Sequence, residues 1–146
     1  MEIRRARKSD LSELFELYSG FSSSAACEAN ECAEAVWEKI EQYEGYHILV
    51  GCEDGRIVST CAVTILPNLT HGQKPYAWVE NVITKEAYQN RGYASSLLKR
   101  AEELAREAGC YRIGLMTRSK KESTWKFYES AGYNSEDKKA FVMWLE

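Results

Sequence analysis

Gln89-Asn90-Arg91-Gly92-Tyr93-Ala94 is the stretch of this chain whose residue types and spacing suit an anion. Before it lies an apolar extended run, Tyr76 to Thr84, rich in aromatic and β-branched residues. After it Leu97, Leu98, Ala101, Leu104, Ala105 and Ala108 recur at helical spacing, and Gly109 stands where the helix should stop. The expected order is therefore strand, loop, helix. At a helix start the first N–H groups lack intrahelical acceptors and sit at the positive end of the dipole, so a pyrophosphate is stabilised there. Gly92 has no Cβ to hold a ligand off the backbone, Ala94 is nearly as small, and Arg91 can add a charge-assisted contact. An ordinary loop and helix cap would use the same residues. The pattern matches neither a P-loop, since no Gly-Lys-Ser/Thr follows, nor G-x-G-x-x-G.

The neighbours of this loop resemble the GNAT family of acyl-coenzyme A dependent N-acetyltransferases. Gln89, Gly92 and Ala94 meet that family's Gln/Arg-x-x-Gly-x-Gly/Ala motif. Glu80-Asn81-Val82-Ile83-Thr84 is similar to the strand run that precedes it, and Phe127-Tyr128-Glu129-Ser130-Ala131-Gly132-Tyr133 to the helix signature that follows. The resemblance runs from Ile3 to the last strand and is sharpest from Tyr76 to Tyr133. It implies one N-acetyltransferase domain over residues 1–146, with an α/β (α+β), three-layer fold in which helices flank a mixed, V-shaped sheet. It implies acetyl-CoA as co-substrate. The pantetheine arm would enter the split beside Val82, Ile83 and Thr84, bonding as a pseudo-strand to the backbone of Val82 and Thr84. The diphosphate would rest on Gln89, Asn90, Arg91, Gly92, Tyr93, Ala94 and Ser95. Two departures bear on this: Ala94 replaces the usual second Gly, and Lys121 and Thr124 stand where many members carry Asn and Ala. Lys121 could then meet a phosphate in place of the Asn that bonds the pantetheine arm.

An alkylamine with a pKa near 10.4 is mostly protonated at pH 7, and reaching its nucleophilic form costs about 4 to 5 kcal/mol. A base is therefore useful. Glu80, a carboxylate on an otherwise apolar strand, is the candidate, acting directly or through water, and partial desolvation there would strengthen it. The competing reading is a solvated carboxylate paired with a lysine. By resemblance Tyr128 is the acid that protonates the departing thiolate; its alternative is a core aromatic beside Trp125, Phe127 and Tyr133. A free backbone N–H near Val82 could stabilise the oxyanion. Direct attack by the amine is favoured over a cysteine-linked intermediate, because Cys110 has no evident His partner. His47 and His71 belong to no metal-ligand cluster, so no metal is expected.

For the acceptor the sequence offers charge. Between Lys8 and Lys39 no basic residue occurs, while Asp10, Glu13, Glu16, Glu28, Glu31, Glu34 and Glu38 are acidic. By resemblance this region overhangs the acceptor cleft, where a negative field would concentrate a cationic small amine. Solubility alone would also place charge opposite an apolar helix face. A second substrate reading is an aminosugar phosphate, since Glu80-Asn81-Val82 and Cys110-Tyr111-Arg112-Ile113 look similar to enzymes of that type and Arg118, Lys120 or Lys121 could meet the phosphate. A third is a non-catalytic acyl-CoA-binding sensor.

The rest of the chain supplies the frame. A length of 146 residues can remove about 70% of the unfolded surface from water, enough for one core. There is no linker, repeat, apolar membrane span or secretory signal pattern, and the five cysteines, Cys27, Cys32, Cys52, Cys61 and Cys110, are odd in number without C-x-x-C spacing. Reduced thiols and a cytoplasmic location are expected. The net charge of −3 without a basic, aromatic-laced stripe argues against nucleic acid. Expected elements are a strand at Ile3 to Ala6, a helix capped by Ser9, a flexible stretch from Gly20 to Ala26 and a helix with Ala33, Val36, Trp37, Ile40 and Tyr43 on one face. A hairpin then turns at Asp54-Gly55, and an exposed loop spans Pro67 to Pro75. A strand at Tyr111 to Thr117, a helix at Ser119 to Ala131 and one or two closing strands in Tyr133 to Leu145 complete the domain. The apolar tail Ala140 to Leu145 suits either an internal strand or a homodimer contact.

Overall fold

A computed structural model describes residues 1–21 and 31–145. The chain forms five strands: β1 (Glu2–Arg5), β2 (Tyr46–Glu53), β3 (Arg56–Leu66), β4 (Tyr76–Thr84) and β5 (Ile113–Leu115). They form one sheet in the order β1-β2-β3-β4-β5, antiparallel from β1 to β4 and parallel between β4 and β5. The helices are α1 (Leu11–Tyr18), α2 (Glu31–Gln42), the short α3 (Thr70–Gln73), α4 (Tyr93–Glu107) and α5 (Glu122–Ser130).

The two-residue period of the strands sends alternate side chains to opposite faces, and each face is covered differently. Leu49, Cys61, Val63, Ala77 and Val79 meet Leu97, Leu98, Ala101 and Ala105 of α4. On the other face Val50, Cys52 and Ile57 pack with Leu14 and Leu17 of α1 and Trp37 of α2. The sandwich is the three-layer arrangement expected. Asp54 (φ 49°) and Gly55 (φ 76°) make the tight turn between Glu53 and Arg56, as that dipeptide predicts.

Two helix ends explain their sequence signatures. At the end of α4, Gly109 (φ 74°) lets the Cys110 N–H reach the Ala105 carbonyl at 2.9 Å. At the end of α5, Gly132 (φ 94°) lets the Tyr133 N–H reach the Tyr128 carbonyl at 3.1 Å. Both are Schellman caps. The Phe-Tyr-x-x-x-Gly-Tyr run is therefore a helix terminus that folds the Tyr133 ring back onto Tyr128, centroids 6.3 Å apart.

Several sequence expectations are corrected. Ser9 does not cap α1; the Asp10 carboxylate takes the Arg7 N–H at 2.7 Å and the Arg4 guanidinium at 2.6 Å, which closes a 3-10 turn over Lys8–Asp10. The Pro67 to Pro75 loop contains α3, with His71 and Gly72 in left-handed geometry. Strand β5 is three residues long rather than seven, and α5 begins at Glu122 rather than Ser119. No strand forms in residues 133–145. An apolar run becomes a strand only when an edge accepts it, and here Phe141 is 89% and Leu145 92% exposed. Of the stretch from Gly20 to Ala26, only Gly20 and Phe21 are among the described residues; Cys27 and Glu28 also lie outside them.

Candidate active site

The sheet opens at Glu80. The β4–β5 ladder joins Ala77 to Ile113, Trp78 to Gly114 and Val79 to Leu115, and ends there. At the next residue β3 and β4 change register: Ala62 pairs with Glu80 but Thr60 with Ile83, so Cys61 alone opposes Asn81 and Val82. This is a β-bulge, with Asn81 at φ 55°. Bulges bend a strand and increase its twist, which accounts for the parting of β4 from β5.

Beyond the bulge no strand pairs with the outer edge of β4 among the described residues. The Lys85 N–H donates to the Val58 carbonyl at 2.8 Å, and the Ile83 carbonyl accepts the Ser59 hydroxyl at 3.1 Å, so these groups face β3. Alternation turns the main-chain groups of Val82 and Thr84 to the open side. There the Gln89 Nε2 donates to the Thr84 carbonyl at 3.3 Å. Gln89 thus tethers the loop to β4 with its side chain.

The loop itself presents main chain. Asn90 (φ 58°) and Gly92 (φ 85°) are left-handed, and the N–H groups of Asn90, Arg91, Gly92, Tyr93, Ala94 and Ser95 find no acceptor among the described residues. The first satisfied amide is Ser96, on the Gly92 carbonyl at 3.0 Å. A Cβ at Gly92 would meet nothing nearer than Met1 Cε at 3.9 Å, so the space above the loop is open. Such a row of donors at the start of a 15-residue helix suits a diphosphate. The side chains play other parts: Tyr93 is buried against Gly51 and meets the Tyr88 ring, which anchors the start of α4. Arg91 lies 3.3 Å from Glu53 and over the Tyr88 ring. Lys121 is exposed, caps α5, and has no ion-pair partner among the described residues.

Glu80 is exposed rather than desolvated, which corrects the expectation of an apolar setting. Its Oε1 accepts the Trp78 indole N–H at 2.8 Å. The two alternate on one strand and so share a face. The half-buried Tyr46 lies in range of the Glu80 charge, which together with burial pushes its phenol up. Tyr128 is half-buried between Phe127 and Tyr133, and burial above all holds its phenol protonated well past neutral pH. No hydrogen bond engages its hydroxyl among the described residues. Sequence reasoning missed Trp78 and Asn81. The two-residue spacing of Trp78 and Glu80 carried the first signal; nothing marked Asn81 as a bulge.

Burial raises the thiol pKa of Cys110, and that of Cys61 to about 12, so neither is a thiolate at neutral pH. Cys52, Cys61 and Cys110 are free thiols, and among the described residues no group of three His, Cys, Asp or Glu is arranged for a metal ion. Among the described residues no helix is long and apolar enough to cross a membrane. The acidic region is largely paired internally: Asp10 with Arg4, Glu16 with Lys85 at 2.9 Å, and Glu34 and Glu38 with Lys8 at 3.4 and 3.7 Å. Glu13 accepts the Ile57 N–H and lies 3.8 Å from Arg56. Counter-charges therefore cancel much of the negative field that composition suggested.

The mixed sheet thus parts at Glu80, and the loop after β4 carries amides that find no acceptor among the described residues. The chain belongs to the Acetyltransferase (GNAT) family, whose model matches residues 11–133. Members of that family transfer acetyl groups from acetyl-CoA. The fold is similar to that of a protein of Agrobacterium tumefaciens str. C58 described as an acetyltransferase, with 36% identity, a TM-score of 0.91, and coverage of 98% of this chain and 99% of that one. It is also similar to an acetyltransferase of Trypanosoma brucei, with 26% identity, a TM-score of 0.83, and coverage of 98% and 99%. In sequence it is 29% identical over 84 residues to glucosamine 6-phosphate N-acetyltransferase of Trypanosoma brucei brucei, a match spanning 58% of this chain and 55% of that protein. The chain thus aligns with about half the length of that curated relative.

Proposed function

We propose that this protein transfers the acetyl group of acetyl-CoA to a primary amine by direct attack within a ternary complex. The observation that carries the reading is the run of six amides, Asn90 to Ser95, that find no acceptor among the described residues, on a loop that Gln89 ties to β4 at Thr84. Those amides would hold the diphosphate, and the outward main chain of Val82 and Thr84 would bind the amide-bearing arm as an added strand. With the thioester so placed, Glu80 accepts the proton of the amine, through a water where the distance requires one. The C–N bond forms, the C–S bond breaks, and Tyr128 gives its proton to the leaving sulfur. The Val82 N–H, on the open edge, stabilises the oxyanion. An acceptor screen with acetyl-CoA, read by free thiol release, tests this. Thiol release that depends on an amine supports it; coenzyme binding without acetylated product on any amine would instead make the chain a sensor.

For the acceptor, a cationic small amine is one reading, resting on the acidic residues around α1 and α2 and weakened by the Arg4, Lys8, Arg56 and Lys85 charges that pair with them. An aminosugar phosphate is the second, favoured by the relative with that activity and by Lys120 and Lys121, which lack ion-pair partners among the described residues. Spermidine and glucosamine 6-phosphate compared as substrates separate the two. Preference for the sugar phosphate would sink the cationic reading.

A further inference from the structure

We propose that Trp78 is a positioning residue that aims the Glu80 carboxylate at the acceptor, and that Gly114 is the residue that lets it do so. The inference rests on the reading of Glu80 as the base. An exposed glutamate samples several rotamers, and Glu80 has one side-chain partner among the described residues, the indole N–H at 2.8 Å. That donor is itself held. Trp78 and Gly114 are directly paired across the parallel β4–β5 ladder, one residue before it ends. A Cβ built on Gly114 would stand 2.7 Å from Trp78 Cζ3 and 3.0 Å from Cε3, so the benzo ring of the indole occupies the space that a side chain there would need. Gly114 has no positive φ to demand a glycine; what requires it is the ring. On the other side Trp78 pairs with Thr64, and Thr64 with Tyr46, placing these side chains on the same face of the sheet as Glu80. The next-to-last rung of the β4–β5 ladder thus supports an aromatic lever whose N–H holds a carboxylate at the first β4 residue beyond that ladder.

A misaimed base loses rate without losing coenzyme affinity. Trp78→Phe keeps an aromatic ring but deletes the N–H, and kcat should fall about tenfold while acetyl-CoA KM and the melting temperature stay near wild type. Measured in a Glu80→Gln background, the same substitution should have no further effect, because no base is left to aim. Gly114→Ala should reproduce the loss by displacing the indole, and its effect should vanish in the Trp78→Phe chain, where the benzo ring is gone. It also serves as the test should Trp78→Phe fold poorly. An equal loss from Trp78→Phe with and without Glu80→Gln overturns the proposal, as does unchanged kcat in Trp78→Phe when Glu80→Gln is impaired. Unchanged kcat in Glu80→Gln itself is a separate outcome: it removes Glu80 from its role and the proposal with it.

Discussion

Gly92 and Gly109 bracket α4, and replacing each by alanine separates backbone strain from ligand contact. Both are left-handed, at φ 85° and 74°. A Cβ added at Gly109 meets nothing within 4 Å, and one at Gly92 meets only Met1 Cε at 3.9 Å. Each alanine therefore carries the left-handed penalty of about 1–2 kcal/mol, with no clash to add to it. For a chain of this size that lowers Tm by roughly 3–8 °C in either variant, which differential scanning fluorimetry resolves. The two should differ in coenzyme binding. At Gly92 the new methyl group enters the open space above the free amides, and relaxation toward negative φ would turn the neighbouring N–H groups away. Losing one hydrogen bond to a charged oxygen, about 1.5–3 kcal/mol, weakens binding roughly 10- to 150-fold. Titration calorimetry with coenzyme A should show that loss for Gly92→Ala and a Kd within about twofold of wild type for Gly109→Ala. Equal affinity in the two variants would refute the assignment of the loop.

Tyr128→Phe should lower kcat by about 100-fold while coenzyme affinity is kept, since it deletes one proton donor and no binding group; unchanged turnover would remove Tyr128 from the mechanism. His47 offers a pH test of stability. Its Nδ1 is buried without a hydrogen-bond partner among the described residues, and burial, with Arg5 and Arg100 nearby, pushes its pKa below the usual 6.5. The unfolded chain then takes up a proton that the folded chain refuses, so this contribution is fully present above pH 6.5 and is lost as pH falls below it. The fall in Tm between pH 7.5 and 5.5 should be smaller in His47→Leu, and an equal fall in both chains would refute this source.

Much of the fold was legible because it depends on local chemistry. Aromatic and β-branched residues marked β4, Asp54-Gly55 marked the turn between β2 and β3, and Gly109 marked a helix end whose left-handed geometry glycine permits. The free amides of Asn90 to Ser95 were equally readable, since a helix start leaves donors unpaired whatever surrounds it. What required tertiary structure was every feature that depends on a partner distant in sequence. The tail from Ala140 to Leu145 has the composition of a strand and pairs with nothing among the described residues. The acidic residues of α1 and α2 read as a negative surface until Arg4, Lys8, Arg56 and Lys85 come in from other elements to neutralise them. The bulge at Asn81 exists only as a mismatch between two strands, and the seat of Trp78 on Gly114 only as a pairing across the ladder. Residue types determine which groups can donate, accept or turn; the packing of the chain determines which of them are already taken, and so which remain for a ligand.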